Sequence, residues 1–520
     1  MKPTAVVTTT SALSRALVSC IYSAGRRRVG EHTRLGRGSS ASTASGNEDW
    51  RIEAGTGGGV CDFRHVVYRF NRVDGINRAK RPAAGENMAS KRGGDILTIG
   101  FGTTVVMWVI LYVSAIPPGI VPLWLAAVVL AGWLFVAGYG LARKTGRGWR
   151  GGVWLGLLVA GLNVLILLSM LGGEEPGEVV VAGLWWIGGF LAAALVLCTL
   201  GAAAGARSAA DEPPAINWTG RFARVTALTT LLMIIAGGIV TGLEAGEAIE
   251  GWLTSDGYLM VLFPLTLMQR DVSAFAEHAH RLWGLLVGLT TIVLAIHLWM
   301  VDRRRWLRWL AIVAVLAVIV QGVLGGTRVT EQSTTLGIVH GVFAQAFFAM
   351  LIVIAAAAST AWTGSVQPLP SERIKTDRTI SAVLLVVILL QITLGTAFRH
   401  LEPLPDVSRG ARMGLLHGHS FVGSLVVLGL VLFCGVRAWG MYASQRIIKR
   451  VGMGMVHVVG LQVVLGIASF ILVPKSPRGP DEIISALEVA VTTAHQAMGA
   501  VVLAMATLYA VWVRRLSTEA

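Results

Sequence analysis

Charge is what this chain has least of. Only 14% of its 520 residues are Asp, Glu, Lys or Arg, and 54% are hydrophobic. Soluble domains carry about 25% charged residues, so an ordinary water-soluble fold is excluded. Cysteine is also scarce. Cys20, Cys61, Cys198 and Cys434 are scattered, two of them inside apolar runs, and they write neither a disulfide framework nor a cysteine metal site. The apolar segments lack polar–apolar alternation, which excludes a membrane barrel. No short apolar secretory signal opens the chain.

What is present is a series of continuous apolar segments, each long enough to cross a hydrocarbon core of about 30 Å. Lipid offers the backbone no hydrogen-bond partners, so such spans are helices. Twelve are expected, at 96–116, 120–142, 151–172, 179–204, 222–243, 279–300, 306–326, 338–360, 379–398, 415–437, 452–472 and 489–513. The net charge of +15 sits roughly half before residue 88 and otherwise mostly in short loops, a topology signal rather than a nucleic-acid surface. Basic clusters at Arg303-Arg304-Arg305, Arg373 to Arg378, Arg446 to Arg450 and Arg514-Arg515 fall in every second connection, which places those connections in the cytoplasm. The segments 244–276, 327–337, 399–414 and 473–488 then face outward.

Residues 1–87 are rich in Arg, Ser and Gly and read as an organellar transit peptide, as a disordered leader, or as sequence ahead of a true start at Met88. Glu48, Asp49, Glu53 and Asp62 weigh against the transit peptide. Residues 88–204 form a four-helix module with no histidine and almost no polar residue to bury, its role unknown; the linker 205–221, marked by Pro213-Pro214, closes it.

The last eight spans repeat as two sets of four, 222–360 and 379–513, joined by the linker 361–378 and followed by a tail at 514–520. HAHRLWGLLVG (278–288) aligns with HGHSFVGSLVV (417–427), QGVLGG (321–326) with QVVLGI (462–467), and GIVHGVFAQAFFAML (337–351) with TTAHQAMGAVVLAMA (492–506). AGGIVTGLEAG (236–246) matches QITLGTAFRHLEP (391–403) more loosely. Four spans separate equivalent helices, so both halves run in the same direction. The expected fold is an all-α polytopic membrane protein, two tandem parallel-repeat four-helix bundles preceded by four extra transmembrane helices.

An ionisable residue in a span is expensive and marks function. His280, His340, His419 and His495 occupy equivalent places near the outer ends of their helices. Four positions on, sharing the helix face, stand Gly284, Ala344, Gly423 and Gly499, small enough to leave space for a flat macrocycle; His278 and His417 are followed by Leu282 and Phe421. Pairing His280 with His340, and His419 with His495, gives two sites with two axial histidines each, an arrangement that suits haem iron. Zinc is disfavoured because no Cys accompanies the histidines. His297 is expected as a snorkelling interfacial residue, His457 as structural, and His400 as lining the second site. Arg281, Arg328, Arg399 and Arg412 near the outer ends are read either as partners of haem propionates or as interface charges. Glu277 precedes His278 where Leu416 precedes His417, so only the first half has a carboxyl one turn from its ligand.

These residues resemble the haem A synthases of cytochrome oxidase assembly. The likeness covers 222–513 and rests on Glu277-x-x-His280-Arg281, QGVLGGTRV (321–329), His340, QITLGTAFRH (391–400), His419 and TAHQAMGA (493–500). It implies a b haem in the C-terminal half on His419 and His495. It implies haem O as substrate in the N-terminal half on His280 and His340, oxidised to haem A, with Glu277 acting at the reacting methyl group. Where the family carries an outer Asp-Trp-Pro element this chain has Gly251-Trp252-Leu253, and the outer-loop cysteine pair of some members is absent. The expected partners are membrane lipid, haem O synthase, an electron donor such as quinol, and a second copy of the chain; nucleic acid is not one. The expected location is the bacterial cytoplasmic membrane, or else the mitochondrial inner membrane. The alternatives are a di-haem b-type cytochrome that only passes electrons, and a transporter with proton-relay histidines. Farnesyl transfer to haem would need aspartate-rich metal-diphosphate motifs, which are missing.

Overall fold

A computed structural model describes residues 93–517 except 120, 210–213, 365–370, 402–406, 443 and 474–483. The 1–87 leader, Cys20, Cys61, Pro213 and the end of the tail lie outside the described residues. Among the described residues, twelve helices are long and apolar enough to span a membrane. They are α1 (Gly94–Ala115), α2 (Leu123–Thr145), α3 (Trp149–Met170), α4 (Gly183–Ala206), α5 (Trp218–Gly242) and α6 (Val272–Val301). Then follow α7 (Arg305–Thr330), α8 (Thr334–Ala357), α9 (Ser371–Leu401), α10 (Arg409–Met441), α11 (Arg446–Leu472) and α12 (Ala486–Ser517). All belong to one unit, Lys80–Ala520.

Each histidine-bearing helix starts on a side-chain cap, which satisfies an amide that the first turn would leave bare. Asp271 accepts from the Ala274 amide at 2.8 Å, Ser333 from Leu336 at 3.3 Å, Ser408 from Ala411 at 3.2 Å and Ser485 from Glu488 at 3.1 Å. These caps start α6, α10 and α12 before the apolar runs begin. His280, His340, His419 and His495 therefore lie within about three turns of their helix starts.

In the first half α5 packs on α6, α6 on α7, α7 on α8 and α8 back on α5, a closed ring of four. The second half repeats this with α9, α10, α11 and α12. Between the halves α5 meets α12, α9 meets α8, and α8 meets α12. Exchanging α5 with α9 and α8 with α12 maps this contact set onto itself, as a two-fold relation between parallel repeats requires.

The four leading helices join the first half through α1 and α3. Phe101, Val105, Trp108 and Leu162 share one buried cluster with Phe222, Trp283 and Leu286, and Trp108 meets Trp283 edge-on at 5.5 Å between ring centres. The expected absence of buried polar groups in these helices is corrected. Asn163 accepts from the Trp108 indole at 3.2 Å and donates to the Val159 carbonyl, and buried Asp95 pairs with Arg147 at 2.5 Å. A buried amide or carboxylate persists in a span when its partners are supplied.

The α5–α6 connection is the longest described loop of the two halves. It carries a small hairpin, Thr254–Ser255 against Tyr258–Leu259, turned by Asp256 (φ 48°) and Gly257 (φ 86°). Asp-Gly is the pair that this turn requires, because both central residues adopt positive φ.

Candidate functional site

The eight-helix repeat resolves into four hairpins with one plan. In each, the histidine ring of the second helix lies against a glycine of the first. His280 rests on Gly237, His340 on Gly325 and His495 on Gly466, and a Cβ added at any of these glycines would meet the ring Cε1 at 2.9 Å. For His419 on Gly395 the figure is 2.5 Å. Glycine is required in these places because any side chain would occupy the space of the ring. The four rings are half-buried. This also corrects the loose alignment of α5 with α9: Gly237 corresponds to Gly395, so Met233 corresponds to Gln391.

Four residues before the glycine, the first helix carries the residue that reaches across the hairpin. Gln321 donates to the His340 carbonyl at 2.9 Å, and Gln391 to the His419 carbonyl at 2.8 Å. Gln462 places its amide nitrogen 3.5 Å from Nε2 of His495. Interhelical side-chain hydrogen bonds of this kind in membranes contribute roughly 1 kcal/mol. At three of the four histidines the small residue four positions on receives this crossing side chain. A Cβ on Gly423 would run into the Gln391 amide, one on Gly499 would stand 3.6 Å from the Gln462 amide nitrogen, and one on Gly284 3.3 Å from the methyl of Met233. At these three the expectation that the small residue leaves space for a macrocycle is corrected.

His419 and His495 meet edge-on, with ring centres 6.4 Å apart and planes at 83°. Two metal–nitrogen bonds of about 2 Å, plus about 1 Å from each nitrogen to its ring centre, span about 6 Å. The pair fits an iron between them. Nδ1 of His419 lies 3.3 Å from the Gln391 carbonyl, the backbone contact that orients a metal-binding imidazole and leaves Nε2 for the metal. Nδ1 of His280, His340 and His495 is buried without a hydrogen-bond partner in the structure. Among the described residues no group of three or more His, Cys, Asp or Glu gathers into a metal site. His280 and His340 lie near enough to interact electrostatically. In the second half His419 stands in a π-helical turn, Gly418–Gly423, which loosens the regular carbonyl pairing there. The first half has no such turn: α6 is α-helical through His280.

Glu277 and Arg281 bind each other. Their ion pair closes at 2.6 Å with both side chains buried, and Glu277 also accepts from the Ile249 amide at 3.0 Å. Arg281 donates onward to the carbonyls of Ile249 and Thr254 and to the Ser255 hydroxyl. The pair therefore fastens the α5–α6 loop onto α6. Arg281 is occupied by this loop and is not free to hold a separate anion. Arg328 reaches Gly246 of the same loop and stands near Gly337 at the start of α8, where an added Cβ would also meet His400 of α9 at 3.4 Å. Arg399 donates to the Thr241 carbonyl at 2.9 Å and pairs with Glu244 at 3.5 Å. Arg328, Arg399 and His400 thus gather at the seam between the halves, so His400 lines the first half rather than the second. The Trp252 indole lies directly on Gly326, the residue after the Gly325 seat.

The remaining histidines separate clearly. His278 is fully buried, stacked on Phe263 at 4.7 Å, with both ring nitrogens sealed and unpaired. His297 does not snorkel: it is buried, bonded to the Thr219 hydroxyl at 3.0 Å, and packed edge-on against Phe222. His457 bonds only to its own helix, at the Met453 carbonyl. The glycine seats and the crossing glutamines were not recognised from sequence as part of the site. Their signal is present in the repeated Gln-x-x-x-Gly of 321–325, 391–395 and 462–466.

Fold and site together define a class: a polytopic helical membrane protein with a duplicated bundle that carries a histidine near the start of every second helix. Within that class, residues 258–414 match the family model described as cytochrome oxidase assembly protein, COX15-CtaA. Over those residues, about a third of the chain, the sequence is similar to this family. The matched stretch holds Glu277, His280, Arg281, Arg328, His340 and Arg399 and ends before His419. No curated protein matches the chain.

Proposed function

We propose that the chain is a haem A synthase, oxidising a methyl group of haem O to a formyl group by two successive hydroxylations, each taking one oxygen atom from dioxygen with two electrons from the donor, followed by loss of water. The observation that carries this reading is the fourfold hairpin plan, in which His419 and His495 stand 6.4 Å apart between ring centres, in a chain whose residues 258–414 match the cytochrome oxidase assembly family model. His280 and His340 would hold the substrate haem; His419 and His495 would hold a resident b haem. When bound, that b haem supplies one-electron chemistry.

The chain's own groups have the following parts. Arg328 and Arg399 place positive charge beside His400, at the seam where propionates of a haem in the first half would emerge. Trp252, stacked on Gly326, and the loop fastened by Arg281 cover the first site from outside and exclude water. Glu277 is the acid–base group. Each of its carboxylate oxygens accepts one hydrogen bond in this structure and keeps a further lone pair for a proton. The protein would work beside a haem O source and a quinol or similar donor, in the bacterial cytoplasmic membrane or its mitochondrial counterpart.

A di-haem cytochrome b is the second reading, and the engagement of Glu277 with Arg281 and Ile249 favours it, because a purely structural carboxylate leaves no chemistry to the first site. Pigment extraction after coexpression with a haem O source separates the two. Haem A or haem O beside haem B is the expected result. Haem B alone makes the protein an electron carrier, and the absence of any Soret band makes the histidines something other than haem ligands.

A further inference from the structure

The four hairpins differ at one position that the proposed chemistry has not used. Gln321, Gln391 and Gln462 cross to the ligand-bearing turn of the next helix; in the α5–α6 hairpin the corresponding residue is Met233. Methionine fills the same space, its methyl 3.3 Å from where a Cβ on Gly284 would stand. It has no N–H to donate, and it is unbranched and adapts its shape easily. The α5–α6 hairpin therefore keeps the packing of the plan and lacks its hydrogen bond. On the ring side only His419 has a partner, the Gln391 carbonyl at Nδ1; Nδ1 of His280, His340 and His495 is buried without one. Of the four histidines, His280 is the one whose crossing residue gives its turn no hydrogen bond.

An interhelical side-chain hydrogen bond of this kind changes an equilibrium by roughly 5-fold when lost. An enzyme that accepts one haem and releases a modified one needs a site that lets go, and a resident haem needs a site that does not. We propose that Met233 makes the His280/His340 site the exchanging site, and that Gln391 is the positioning residue that retains haem at His419/His495. The inference rests on the reading that both histidine pairs take haem, and assigns the difference between the two sites to one residue in each.

The test is haem loss. The full chain in detergent is loaded with iron protoporphyrin IX and mixed with excess apomyoglobin, and transfer is followed by absorbance. Two phases are expected, with the fast one missing in His340→Ala and the slow one missing in His419→Ala. Met233→Gln should slow the fast phase about 5-fold and leave the slow phase alone; Gln391→Met should speed the slow phase by a similar factor and leave the fast phase alone. In the double variant the order of the two sites should reverse, which a general loss of folding cannot produce. A single phase in the unaltered protein, or Met233→Gln and Gln391→Met rates equal to those of the unaltered protein, overturns the proposal while leaving the haem reading intact. Failure to load any haem overturns both.

Discussion

Gly395 sits so close under His419 that a single methyl group would meet the ring at 2.5 Å. Alanine is favoured over glycine in helices by about 1 kcal/mol, so Gly395→Ala should leave the helix intact and displace the ring. The expected result is loss of the low-spin bis-histidine spectrum of the second site. Gly460→Ala, where a Cβ meets nothing within 4 Å, should leave that spectrum unchanged. At Glu277 two substitutions separate shape from charge. Glu277→Gln keeps the size of the side chain; Glu277→Ala strands the buried Arg281 guanidinium, at a cost of roughly 3–5 kcal/mol. If Glu277 is the acid–base group, Glu277→Gln retains haem and makes no haem A, as pigment extraction would read; continued haem A output would remove that role. The histidines were legible in the sequence because a histidine in an apolar run has no cheap explanation. The glycine seats were not, since a glycine in a membrane helix is ordinary until the rotation of the neighbouring helix is known.

The α5–α6 loop is anchored to its half at two described points, the Glu277–Arg281 pair and the Trp252 ring on Gly326. A Cβ on Gly326 would fall inside the indole, so Gly326→Ala should evict Trp252. Limited proteolysis within 244–271 should then speed up clearly relative to the unaltered chain; an unchanged cleavage rate would mean the loop does not depend on this contact. At the other end of α6, Thr219→Val leaves the buried His297 ring without its partner. That should cost about 1–3 kcal/mol, seen as a lower thermal midpoint in detergent. Residue type and hydropathy place His297 inside α6, but only the packing of α5 and α1 decides between a buried hydrogen bond and a reach toward water. The caps Asp271, Ser333, Ser408 and Ser485 show the opposite case: short-range chemistry written directly in the chain.

Across the molecule, twelve spans and the duplication follow from apolar length and from motif order, since lipid leaves the backbone no option but helix. The repeat also implies the two-fold relation in which α8 and α12 meet between the halves. The docking of the first four helices was not legible, because their apolar faces look alike to lipid and to protein. The structure gives them a shared core with α5 and α6 through Phe101, Trp108 and Trp283. A chain lacking residues 93–206 should therefore lose thermal stability in detergent even though it keeps all four histidines. An unchanged midpoint would make those helices a separable attachment.

The fourfold hairpin plan also bears on how such a protein is made. Seat, crossing residue and ligand of each hairpin lie on two consecutive helices, so a ligand can be oriented as soon as its hairpin enters the membrane. On the ribosome, α7–α8 would complete the first pair long before α11–α12 completes the second. The haem-gripping geometry is thus available to the nascent chain in two instalments, N-terminal pair first.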